Sequence, residues 1–170
     1  TNSIATGEIY SLTFYPNGTY IHGQNGDSID PTAIGIEYGT YTVGVSGEIT
    51  VDVIFDQNGP VGLSELPVGT TVAIVGDTLT IDDQVTPIDY ARGMDVSAQE
   101  VGSWWFGSSS TDLSELLSLT FYDNGTFIDG LTGSGIDKDL TGIEYGSYVI
   151  DGSTGELTLT ILDDQNGDDN

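Results

Sequence analysis

Apolar and polar residues alternate with period two along most of this chain, in short runs separated by Gly, Asn and Asp. Such alternation predicts antiparallel strands joined by tight turns. Residues 9–15 and 18–22 form a first hairpin through Pro16-Asn17-Gly18, where glycine supplies the positive φ that the turn needs. Leu12 and Phe14 share one face of it, and Tyr20 is placed to meet them from the opposite strand. Residues 35–43 and 47–55 form a second hairpin, in which Ile49, Val51, Val53 and Phe55 are predicted to face a core. Strands over 70–75, 78–82 and 87–92 follow, and no long helical pattern interrupts them.

The same pattern then returns. Ser11-Leu-Thr-Phe-Tyr-Pro-Asn-Gly-Thr-Tyr-Ile-His-Gly23 aligns without a gap on Ser118-Leu-Thr-Phe-Tyr-Asp-Asn-Gly-Thr-Phe-Ile-Asp-Gly130, with 10 of 13 positions identical. Gly35-Ile-Glu-Tyr-Gly39 recurs as Gly142-Ile-Glu-Tyr-Gly146, and Asp56-Gln-Asn-Gly59 as Asp164-Gln-Asn-Gly167. The offset grows from 107 (118 minus 11) to 108 (164 minus 56), which places a one-residue insertion near Ser153. The fold expected is therefore all-β: two repeated antiparallel β-barrel or β-sandwich modules, the second incomplete. A first module over 1–94 lacks an opening strand. A connector over 95–101 leads into a second module over 102–170, which lacks its closing strands.

Gly102-Ser103-Trp104 opens the second copy, and the Leu-Thr-Phe, Gly-Thr-Tyr, Tyr-Gly-Thr-Tyr and Gly76-Asp-Thr-Leu-Thr-Ile81 segments follow the same plan. Together these resemble bacterial lipocalin-like β-barrel domains. The resemblance implies an up-and-down antiparallel barrel, sometimes with an apolar pocket. It also implies that Trp104, in a Gly-x-Trp on the first strand, packs against a basic residue on the last, the place held by Arg92. Such a cation–π contact contributes roughly 0.5 to 2 kcal/mol. The doubling and the acidity depart from single-domain lipocalins and look more like tandem-repeat bacterial surface proteins. Trp105, of opposite parity, is expected to point outward.

Charge narrows the partners. Against 27 Asp and Glu stand only Arg92 and Lys138, for a net charge of -25, so a nucleic-acid partner is excluded. Self-repulsion of this size favours cations that screen or bridge it, although plain solubility is the simpler account. There is no cysteine, hence no disulfide or thiolate site. No run is long enough for a membrane-spanning helix, so membrane insertion is not expected. The chain starts without methionine or a signal segment and reads as a mature or excised fragment.

Candidate chemistry is sparse. Phe14, Tyr20, Tyr41, Phe121, Phe127 and Tyr148 would line a pocket if the chain binds a small apolar ligand. Asp56, Asn58, Asp163, Asp164, Asn166 and Asp168 sit in oxygen-rich loops of the kind that hold calcium, the one cofactor considered, yet Asp-Asn-Gly is also ordinary turn chemistry. His22, the only histidine, is expected at an exposed strand end. Glu37 and Glu144 share the parity of Tyr41 and Tyr148 and are expected to accept hydrogen bonds from tyrosine hydroxyls or turn amides. No catalytic constellation stands out. The expected function is a non-enzymatic, extracellular or cell-surface bacterial β module, structural or adhesive, whose partner is itself. A lipocalin-like binder is the alternative, and a glycan-active enzyme a distant third.

Overall fold

The structure, a computed structural model, describes residues 9–25, 33–59, 62–76, 78–85, 87–91, 102–106, 116–132 and 141–165. It is all-β, with a single 3-10 turn, Leu63–Glu65, among the described residues. The strands are β1 (Tyr10–Phe14), β2 (Thr19–Asn25), β3 (Ile34–Val43), β4 (Ile49–Asp56), β5 (Thr71–Val75), β6 (Thr78–Asp82) and β7 (Ile88–Ala91). They continue with β8 (Gly102–Phe106), β9 (Leu117–Phe121), β10 (Thr126–Leu131), β11 (Gly142–Ile150) and β12 (Leu157–Asp164). Every pairing is antiparallel, and the strands form three sheets: β1-β2-β3-β4, β5-β6-β7 and β12-β11-β10-β9-β8. None closes into a barrel.

Strands β1 to β4 of the first sheet match β9 to β12 of the last, which β8 extends by one further strand. Phe14 pairs with Tyr20 across the first hairpin, as Phe121 pairs with Phe127 in the later one. The turn glycines Gly18 and Gly125 have φ of +84° and +80°. In both sheets the last two strands, β3 with β4 and β11 with β12, slip register, between Tyr38 and Gly39 and between Tyr145 and Gly146. Glycine is required there, because a Cβ on Gly39 or Gly146 would overlap the carbonyl of Asp52 or Thr160. The extra residue re-aims the rest of the strand: Val53 shares a row with Gly39 and Tyr20, while Phe55 pairs with Tyr38 and stacks on it from the opposite face. Phe55 therefore packs into a different core from Val51, where simple alternation put both on one. Gly44 N donates to Glu48 O in one hairpin and Asp151 N to Glu156 O in the other, which confines the inserted residue to the later loop.

The first sheet is covered on both faces at its centre, where strand β2 is buried from Thr19 to Gln24, whereas Thr50, Asp52 and Ile54 of β4 stay exposed. On one side Leu12, Phe14, Tyr20, Tyr41 and Val51 pack against Leu63, Leu66, Val72, Leu79 and Ile81. The 3-10 turn and the β5–β6 hairpin thus lie over this face. They join the sheet edge through Ile49 N→Thr70 O (3.0 Å) and Val72 N→Gly47 O (2.8 Å). On the other side Ile9, Tyr15, Ile21 and Ile36 meet Leu116, Ile128 and Ile143 of the last sheet.

That second contact is reciprocal. The Tyr15 hydroxyl donates to Leu117 O (3.2 Å) and the Tyr122 hydroxyl to Tyr10 O (2.7 Å), the same bond made once in each direction. Ile128 and Ile143 press on Gly23, and Ile21 and Ile36 press on Gly130. A Cβ on Gly23 would stand 3.3 Å from Ile128 Cδ1, and one on Gly130 3.2 Å from Ile21 Cδ1, so each glycine opens room for the opposite isoleucine. This is the pattern of an isologous, twofold interface, realised within one chain.

Candidate functional site

The densest set of buried polar groups lies on the inner face of the first sheet. Alternation along β2 puts Tyr20, His22 and Gln24 on this face, and register places Glu37 beside His22 and Asp56 beside Glu37. Glu37 has no exposed surface. Its carboxylate accepts from the Tyr20 hydroxyl (2.8 Å), Leu63 N (2.9 Å) and Ser64 N (3.0 Å). Donors of this number stabilise a buried carboxylate. They also anchor the 3-10 turn, so that Leu63 seats against Tyr20 and Ile81. The expectation of a tyrosine hydroxyl or turn amides on Glu37 holds, and the hydroxyl is that of Tyr20. Burial first, and then the Glu37 charge, push the Tyr20 hydroxyl pKa upward.

His22 is 2 % exposed, not a surface residue. The strand does not stop at Gly23 as expected; it pairs on to Asn25, because Gly23 serves close packing rather than a turn. Tyr10 stacks over the imidazole at 6.3 Å, and Asn58 Nδ2 lies 3.1 Å from His22 Nδ1. Burial lowers the His22 pKa to about 4, so the ring is neutral near pH 7. With the amide so oriented, Nδ1 accepts and Nε2 carries the proton. Beyond it, Gln24 is fully buried, and among the described residues both its amide atoms and Asn58 Oδ1 have no hydrogen-bond partner.

The corresponding row of the last sheet has changed character. Phe127 stands where Tyr20 stands, Asp129 where His22 stands, and Asp129, Glu144 and Asp164 are neighbours on adjacent strands. Asp129 Oδ1 is buried and has no hydrogen-bond partner among the described residues. Burial, and then the Glu144 charge, push the Asp129 pKa up to about 7. The Glu144 pKa is raised by burial and by Asp164. Even so, among the described residues no three His, Asp or Glu side chains are arranged to hold a metal ion.

The remaining candidates fall as follows. Asp56 is exposed and accepts from Gly59 N (2.9 Å), a turn contact, whereas Asn58 is buried against His22, so the two do not converge. Asp163 Oδ2 accepts from Gln165 Nε2 (3.3 Å). Arg92, Asn166, Asp168 and the connector 95–101 lie outside the described residues, as do the side chains of Trp104 and Trp105. The backbone of Trp104 pairs with Leu119. Of the aromatic set, Phe14 meets Tyr41 edge-on at 4.7 Å and Phe121 meets Tyr148 at 4.8 Å. The Tyr41 and Tyr148 hydroxyls donate to Tyr15 O and Tyr122 O. These rings pack on one another within each sheet.

The alternation reading missed the contact between the two sheets. Its signal was present: Tyr20-Ile21 and Phe127-Ile128 put large apolar groups on both faces of one strand, which only a sheet covered on both sides accommodates. No known protein family, curated protein or solved structure matches the chain.

Proposed function

We propose that this chain is a non-enzymatic, extracellular β-repeat module of a bacterial surface protein, matrix or filament, with a structural or adhesive role. The observation that carries the reading is the reciprocal packing of the first and last sheets, in which two copies of one sequence pattern use the same apolar face to hold each other. The buried polar groups support it, since the Glu37 carboxylate anchors a turn and the aromatic rings of each sheet pack on one another. A lipocalin-like ancestry is part of the proposal; the antiparallel meanders β1 to β4 and β5 to β7 support it, although their sheets stay open. Edge strands β1, β7 and β8 offer backbone groups through which successive copies add to one another.

Light scattering on the full chain at micromolar concentration tests the reading. The expected outcome is a mass above 17.9 kDa that grows with concentration. A mass fixed at 17.9 kDa across the range would overturn it.

A further inference from the structure

The last sheet keeps the face that the first sheet covers, but among the described residues it has no counterpart of the cover. Ile49 is 8 % exposed, and Val51 and Val53 are half-buried, beneath the 3-10 turn and the β5–β6 hairpin. Their counterparts Leu157, Leu159 and Ile161 are 44 %, 40 % and 41 % exposed. Thr70 O receives Ile49 N, and Gly47 O receives Val72 N. Among the described residues nothing takes the places of Thr70 and Val72 beside Leu157 N and Gly155 O. Glu37 holds the amides of Leu63 and Ser64, whereas Glu144 stands among acidic neighbours with a raised pKa.

From this we infer that the Leu157–Leu159–Ile161 face, with Glu144 at its end, is a docking site for a segment with the chemistry of residues 62–82: a Leu-Ser turn offering two backbone N–H groups to the carboxylate, then a Val/Thr hairpin pairing along β12. The first sheet is the template for the complex, since its face, edge groups and carboxylate are the same set already occupied. The occupant comes from outside these residues. Among the described residues each chain carries two such faces and one such covering unit, so exchange between identical chains would uncover one face for every face it covers. A further repeat of the unit is therefore the partner that fits. The inference rests on the proposed role as a repeated module.

Hydrogen exchange on the full chain tests it in two forms. In one, a second copy of residues 60–92 is joined after Gly167; in the other, a synthetic peptide of residues 60–84 is added to the unaltered chain. The expected result is that exchange over 157–162 slows about tenfold or more, and that the same peptide carrying L63D does not slow it. Should the joined chain misfold, the peptide decides. Unchanged exchange with the peptide overturns the docking site, and so does protection that rises with protein concentration in the absence of added segment, which would make a second copy the occupant. Light scattering stands apart from both: association without segment-dependent protection sinks this inference and leaves the module reading, while segment-dependent protection of a strictly monomeric chain does the reverse.

Discussion

His22 and Asp129 occupy the same place in two copies of one pattern, and burial acts on them with opposite sign. Buried His22 resists protonation down to about 4, while the unfolded chain takes up that proton near 6.5. Its contribution to stability is therefore present above pH 6.5 and lost as pH falls to 4, by on the order of 3 kcal/mol. Asp129 keeps its proton up to about 7 where the unfolded value is 3.8, so its contribution is present in acid and lost as pH rises toward 7. The titratable groups near Asp129 include Glu144 from β11 and, one strand further, Asp164 from β12, both acidic, and the neutral Tyr15 hydroxyl of the first sheet. Denaturant melts between pH 4 and 7.5 check the pair. His22→Gln removes the acid-side loss, leaving stability that falls with rising pH. Asp129→Asn leaves stability unchanged near pH 4 and raises it at pH 7.5. Parallel pH profiles for the two variants would contradict both assignments.

Among elements, the 3-10 turn and the sheet-to-sheet contact depend on single residues. Glu37→Ala strands the Tyr20 hydroxyl and two amides beneath the turn, at a cost of about 3 kcal/mol. Glu144→Ala at the equivalent place removes a carboxylate crowded by Asp129 and Asp164 and changes stability by less than about 1 kcal/mol. Equal costs in urea unfolding would mean that Glu37 is not an anchor. At the other face, Gly130→Val places methyls against Ile21 and destabilises by about 1–3 kcal/mol. Ile21→Ala then opens the room those methyls need, so the double variant loses less than the sum of the singles. Strict additivity would show that the two sheets do not press on each other there.

At the scale of the whole molecule, charge dominates. With a net charge of -25, added salt of any kind screens repulsion and raises the melting temperature. A specific divalent contribution is what melts in calcium and in sodium chloride of matched ionic strength distinguish. The expected outcome is equal melting temperatures, because among the described residues Asp164 has only Glu144 and Asp129 nearby in its row and no three acidic side chains converge on a metal position; a higher melting temperature in calcium that Asp164→Ala removes would show a specific site. Equal melting temperatures would leave these carboxylates as solvating surface and turn chemistry.

What the sequence alone determined is local. Period-two alternation and Asn-Gly turns located the hairpins, and the shift in offset located the insertion in the later hairpin loop, because each depends on backbone geometry within a few residues. It also put Glu37 under hydrogen-bond donors from its parity alone. What only the tertiary structure decided is which face meets what. The strand predicted over 18–22 stops short of Gly23, yet Gly23 and its counterpart Gly130 are the hollows that receive isoleucines from the opposite sheet, and that role requires knowing the neighbour across the interface. The bulge at Gly39 sends Phe55 to the opposite core from Val51, a reversal that alternation cannot register. The fate of His22 follows from both: strand pairing beyond Gly23 and the return of Asn58 bury a side chain whose own segment marks it as exposed. Parity assigns a residue to a side of its strand; whether that side holds water or another sheet is set by long-range packing.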